Sequence, residues 1–245
     1  TTEIYTLSLH DALPIFARDG FDPRGAAPLA VSVAAHAWYF VMLGSAYRTG
    51  DISTAYPVAR GIGAAGTAVF GFFVLGEGFS RAGTAGILLV IAGVVLIGKS
   101  GFAAGGCRKA YLFAVLTGAG IVGYSAADKV GAAFVRPFLY LGLLNLGIAA
   151  ATAPLALRGG AAASLASLKA HRFRIPLISL GSGLTYFIIL WVYRVERAGY
   201  IAAVRESSVV FAVLLGRLFL GERIDGWKAA GVAAIAAGLA LIRLG

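Results

Sequence analysis

Charge is scarce in this 245-residue sequence. Only 13% of its residues are Asp, Glu, Lys or Arg, while 59% are hydrophobic and 34 are glycine. Soluble domains carry about a quarter charged residues, so an ordinary water-soluble fold is excluded. Acids are the scarcer sign, 11 against 21 Lys and Arg. The net charge of +10 would suggest a nucleic-acid partner in a soluble protein. Here the basic residues sit mostly in short segments between apolar runs, where they meet lipid headgroups and set topology, and no nucleic acid is expected. The single cysteine, Cys107, excludes an internal disulfide and, lying in a loop, says nothing about redox compartment. His36 has no second metal ligand at helical spacing, and His36 with Cys107 supplies neither a nucleophile with its base nor a metal cluster. The sequence therefore calls for no metal or other cofactor and does not read as an enzyme.

What the sequence has is apolar runs of bilayer length. Eight of them, at 27–47, 52–75, 83–98, 110–127, 138–157, 175–193, 200–220 and 227–242, are close to the 17 to 25 residues that carry an α-helix across roughly 30 Å of hydrocarbon. The expected fold class is all-α integral membrane, with the lipid bilayer as the first partner. Residues 16–26 and 158–174 read as loops, the second being the longest and most basic.

Residues 1–15, TTEIYTLSLHDALPI, have neither the basic start nor the apolar core of a signal peptide. They resemble, along their whole length, the translation in one frame of a widely used sequencing-library adapter. On that reading His10 and Asp11 carry no meaning, and the native frame begins near Phe16 inside a gene.

The span at 52–75 returns later in altered form. Aligning Gly76-Glu77 with Gly221-Glu222 puts Arg60 opposite Arg205, Gly86 opposite Gly231 and Gly93 opposite Gly238, all 145 residues apart. Tyr47-Arg48 matches Tyr193-Arg194 at 146, so one residue has been gained or lost in the turn between. The first three spans thus match the last three. Equivalent helices are five spans apart, and an odd number of crossings turns the second copy over, giving an inverted-topology repeat. The expected division is 16–99 for what is present of the first repeat and 108–245 for the second. The fourth and fifth spans have no partners before the first, which predicts two spans missing from the front, the same loss the adapter-like leader predicts.

Two matches to G-x-G-x-x-G, Gly61 to Gly66 and Gly118 to Gly123, are not dinucleotide sites, because both lie inside helical spans with no preceding strand. The informative residues are polar ones at membrane depth. Arg60 lies about eight residues into its span, roughly 12 Å at 1.5 Å per residue. An arginine at the centre of a span costs about 2.5–3.5 kcal/mol on insertion scales, so it is expected to face the bundle or a wet cavity beside an acid or carbonyls. Arg205 lies nearer its helix start, where it can partly snorkel. Glu206 and Asp128 are the acids within the spans and hence the candidate partners of Arg60, Glu206 first; Asp128 reads equally as a juxtamembrane Asp-Lys pair with Lys129. His36, Trp38, Tyr56, Tyr124, Tyr186 and Trp191 complete the candidate cavity set, against the commoner use of membrane aromatics in packing and interface belts.

Tyr47-Arg48-x-Gly50-Asp51-x-Ser53-x-x-Tyr56-Pro57-x-Ala59-Arg60-Gly61 followed by Leu75-Gly76-Glu77 resembles the EamA-type drug/metabolite transporter superfamily, and the resemblance covers residues 16–245. Tyr124-Ser125-x-x-Asp128-x-x-Gly131 is similar to a tyrosine-to-aspartate motif in part of that superfamily, although the arginine often found just after its glycine is absent. The resemblance implies ten helices in two inverted five-helix repeats around a central cavity, working by alternating access on amino acids, other metabolites or drugs. The expected function is then secondary transport or export of a small organic solute in a bacterial inner membrane, with a coupling proton as a further candidate partner. A lipid or glycolipid flippase and a non-transporting membrane subunit are the alternatives. Loop Lys and Arg number 8 on the side holding both termini and 10 on the other, so charge bias does not set the orientation. The resemblance favours cytoplasmic termini.

Overall fold

The structure is a computed structural model and describes residues 21–49, 52–102, 108–219 and 225–244. The adapter-like leader, Asp51, Cys107 and the Gly221-Glu222 half of the repeat lie outside the described residues. Ten α-helices follow in chain order among the described residues: α1 (Ala26–Thr49), α2 (Ile52–Phe73), α3 (Arg81–Phe102), α4 (Arg108–Gly131), α5 (Pro137–Ala156), α6 (Ala161–Ala170), α7 (Arg174–Val192), α8 (Ala198–Arg205), α9 (Ser207–Phe219) and α10 (Gly226–Leu244). Five helical stretches, Pro23–Thr49, Arg81–Lys99, Arg108–Gly131, Pro137–Ala156 and Arg174–Val192, are long and apolar enough to cross a membrane. Val58–Phe73 and Gly226–Ile242 are shorter apolar helices. With backbone polar groups satisfied inside each helix, this is how a chain of such composition enters hydrocarbon, and the protein is an all-α integral membrane protein.

Two elements differ from the sequence reading. The segment at 158–174 is not loop throughout: a 3₁₀ turn at Leu157–Gly159 leads into α6, an Ala/Leu/Ser-rich helix of 10 residues. Ten residues rise only about 15 Å, too short to cross, which is why span length did not reveal it. The span at 200–220 is interrupted. Glu206 N–H donates to Ala203 O at 3.0 Å and Val209 N–H to Glu206 O at 2.9 Å, so the turn tightens to i→i−3 bonds and α8 ends where α9 begins. Its repeat mate α2 runs unbroken through Pro57, Arg60 and Gly61.

Glycine decides how closely the helices approach. A Cβ added to Gly63 would lie 2.5 Å from Ile121 Cγ2, and one on Gly118 would lie 2.7 Å from Ile62 Cβ. The two G-x-G-x-x-G stretches are therefore faces of α2 and α4 packed on each other. On its other side α4 meets α1, where a Cβ on Gly120 would come 3.1 Å from Tyr39 Cβ.

The tightest seam joins α3 to α10. Gly86 meets the carbonyl of Gly238 and Gly93 that of Gly231, and a Cβ on any of these four would lie 2.6 Å from the opposing oxygen. As position rises along α3 it falls along α10, so the helices run antiparallel. Gly86 is the sequence equivalent of Gly231 and Gly93 of Gly238, so each contact is the other's image. A local twofold axis perpendicular to both helices produces this pattern, and for membrane-crossing helices such an axis lies in the membrane plane.

Because the clashing atoms are main-chain oxygens, a side chain at this seam cannot be absorbed by a rotamer change. Gly238→Val is expected to destabilise the protein by about 1–3 kcal/mol or more, the range for overpacking. Gly142→Ala, where nothing lies within 4 Å of an added Cβ, should be neutral or better. Thermal unfolding of both variants in detergent checks this, and equal melting temperatures would remove the seam from the stability argument.

Candidate functional site

Inside the bundle is a cavity of 2230 Å³. Its wall begins at Leu75 to Gly78 and Arg194 to Arg197, the connections leaving α2 and α7, and passes Arg60 and Arg205 to reach Tyr56 and Phe211. Helices crossing alternately put those two connections, and Lys129 near the end of α4, on the same membrane face.

Arg60 is a paired charge in the wall. Its Nη2 lies 2.9 Å from Glu206 Oε1 and its Nε donates to Glu206 Oε2 at 3.2 Å, a two-point grip on one carboxylate. Nη2 also donates to Arg205 O at 3.0 Å. That carbonyl stands at the C-terminal end of α8, where the interruption leaves acceptors without their helical donors. Arg60 thus serves the broken helix twice, once at its carboxylate and once at its backbone. Tyr56 covers the guanidinium with its ring centroid 6.0 Å away.

Asp128 is fully buried and does not pair with Lys129. It accepts hydrogen bonds from Tyr140 Oη at 2.8 Å and from Tyr186 Oη, which brings α4, α5 and α7 to one point. Ser32 and His36 are the other polar groups acting on it. His36 Nδ1 lies 3.0 Å from Ser32 O and 3.2 Å from Ser32 Oγ, and the imidazole stacks on Tyr124 at a centroid distance of 4.0 Å. Lys129 turns to the cavity mouth, donating to Tyr193 O at 2.7 Å and to Glu196 O, 4.0 Å from Glu77 Oε1. Glu77 in turn accepts from Ala198 N–H at 2.7 Å and Gly199 N–H at 3.4 Å, capping the N-terminus of α8 with a negative charge.

Six of the ten residues singled out from sequence, His36, Tyr56, Arg60, Tyr124, Tyr186 and Arg205, form part of the cavity wall. Glu206 and Asp128 sit behind it, each held by wall residues. Trp38 and Trp191 lie elsewhere, 47% and 42% exposed, and Trp38 Nε1 donates to Leu116 O at 3.0 Å. The sequence reading missed Tyr140, Lys129 and Glu77. For Glu77 a signal existed, since it ends the repeated Leu-Gly-Glu. Among the described residues no three His, Cys, Asp or Glu side chains cluster as metal ligands.

Comparison with known proteins bears on what this cavity belongs to. The model of the EamA-like transporter family matches residues 108–244, more than half of the chain. The chain belongs to the EamA-like transporter family. In the first part of the chain, the model of the Small Multidrug Resistance protein family matches residues 19–90. The multidrug resistance protein EbrB of Bacillus subtilis is 40% identical over 73 residues, 30% of this chain and 62% of its own length. A guanidinium exporter of Citrobacter freundii is 40% identical over 68 residues, 28% of this chain and 65% of its own length. The chain thus spans less than two thirds of these curated relatives. A solved crystal structure, 20% identical, superposes with a TM-score of 0.71 over 96% of this chain and 83% of its own. At that identity the likeness shows the fold alone.

The tyrosine grip on Asp128 gives a measurable coupling. Hydrogen bonds to a charged group contribute about 1.5–3 kcal/mol, less where the unfolded state finds other partners in the membrane. A double-mutant cycle of Tyr140→Phe with Asp128→Asn is expected to show about 1 kcal/mol of coupling in unfolding free energy. Strict additivity would mean that the hydroxyl and the carboxylate do not support one another.

Proposed function

We propose that this protein is a secondary transporter that exports a small organic solute through the cavity by alternating access. The observation carrying the reading is the interrupted helix at the cavity wall, α8–α9, with a charged pair across the break. Membrane transporters form their sites from discontinuous helices near the bilayer midplane, where freed backbone groups and charged side chains face a cavity instead of lipid. Family membership and the printed names of the relatives, a multidrug resistance protein and a guanidinium exporter, support export as the direction. The bacterial sources of those relatives support a bacterial inner membrane as the location. A non-transporting subunit would predict an apolar interior, and Arg60, Glu206 and Arg205 at membrane depth, where each charge costs insertion free energy, count against it.

On this reading the Arg60–Glu206 pair moves with the transport cycle, because it links α2 to its repeat mate across the break. Arg60→Ala leaves Glu206 buried without its partner, and Glu206→Gln leaves Arg60 without its carboxylate. Each is expected to reduce solute flux at least tenfold per molecule in the membrane, beyond any fall in abundance that the unpaired group brings. Flux measured beside abundance decides: near-normal transport in both variants would take the pair out of the mechanism.

A further inference from the structure

We infer that the solute is an organic anion, docked through a carboxylate or similar oxyanion on Arg205; this rests on the transporter reading of the same cavity. The two arginines related by the repeat stand in opposite states. Arg60 spends its donors on Glu206 and on the Arg205 carbonyl. Arg205 has no carboxylate within ion-pair distance among the described residues, and its one hydrogen bond is a long one, Nη2 to Tyr124 Oη at 3.3 Å. A guanidinium offers five N–H donors in a fixed fork, so most of its hydrogen-bonding capacity is open. Tyr124 and Tyr186 flank it, with ring centroids 5.9 and 6.0 Å away. Their π-faces stabilise the positive charge without satisfying its N–H groups. What such a fork accepts with two parallel hydrogen bonds is a carboxylate or a phosphate.

The rest of the wall has the same sign. Arg60, Lys129, Arg194, Arg197 and Arg205 line the cavity, against Glu77 and Glu196. Counting Glu206 and Asp128 behind the wall still leaves cations in excess. Both wall acids already face N–H groups: Glu77 holds the α8 N-terminus, and Glu196 Oε1 accepts Arg197 N–H at 2.8 Å. No wall carboxylate is left open to a cationic solute at the depth of Arg205, whereas an anion entering from the Lys129 side meets successive positive charges on its way to it. A cleft lined by one sign of charge concentrates the opposite ion. The rings of His36, Tyr39, Phe40 and Tyr56 beside these charges suit an apolar body attached to the anionic group. The inference separates this chain from the relative named for guanidinium, which is a cation.

The test compares carboxylates with amides of the same shape: acetate with acetamide, benzoate with benzamide, 2-naphthoate with 2-naphthamide. Binding is measured by calorimetry on the complete protein in nanodiscs, and flux of the same compounds, of guanidinium and of tetraphenylphosphonium is measured in proteoliposomes. At least one carboxylate is expected to bind tenfold or more tightly than its amide. Arg205→Gln should erase that preference, and Arg205→Lys should retain part of it. If no pair shows a preference, or the preference survives Arg205→Gln, the inference is overturned. Should Arg205→Gln fail to fold, the wild-type preference and its competition by inorganic phosphate decide alone. Flux of guanidinium or tetraphenylphosphonium without carboxylate preference would leave the transporter reading standing and remove the anion. Arg205-dependent carboxylate binding with no flux of any compound would do the reverse.

Discussion

An interruption in a membrane helix frees backbone groups that lipid cannot satisfy, and the structure turns on how that need is met. At the α8–α9 break the answer is a side chain from another helix: Arg60 of α2 takes the Arg205 carbonyl and the Glu206 carboxylate together. The arginine needs an acid at that depth, the acid needs a cation, and the carbonyl needs a donor. Each of the three would be costly alone. Together they hold the end of one half-helix against an intact helix, and the cavity opens beside them.

Around this point the packing follows from small residues. Where α3 and α10 cross, and where α2 and α4 lie together, glycine lets main chain approach main chain or branched side chain, as expected where lipid supplies no hydrophobic drive to press helices together. The larger side chains are thereby left for other uses. Tyr124, Tyr140 and Tyr186 converge on Asp128, His36 and Arg205, so the polar interior of α4 is enclosed by aromatic rings instead of aliphatic ones.

Much of this was legible in the sequence. Span lengths gave the class, the 145-residue spacing of Arg60 and Arg205 gave the matched helices, and the cost of a buried arginine with few acids to choose from pointed to Glu206. The break itself was not legible. It falls at Arg205-Glu206-Ser207-Ser208 with no proline to mark it, and a local tightening to i→i−3 bonds needs no special residue. Nor could the sequence say that Tyr140 and Tyr186 would meet Asp128, since they stand on separate helices whose relative rotation is set by packing. Trp38 and Trp191 show the converse: amphipathic residues at plausible depth, turned away from the cavity because helix rotation, which neither composition nor depth specifies, decides which face an aromatic occupies.

The glycine seam between α3 and α10 bears on any motion in which the two halves exchange shapes. Its glycine–carbonyl contacts map onto themselves under the local twofold, so the exchange leaves these main-chain contacts in place while the side chains around them differ, Ile235 against Gly93 and Val90 against Gly238. The preference for one face over the other must be written where the copies disagree, and the sharpest such place beside the cavity is the position held by Gly61 in one helix and Glu206 in the other. One residue without a side chain stands there opposite one with a charge, and the two halves are not interchangeable at that point.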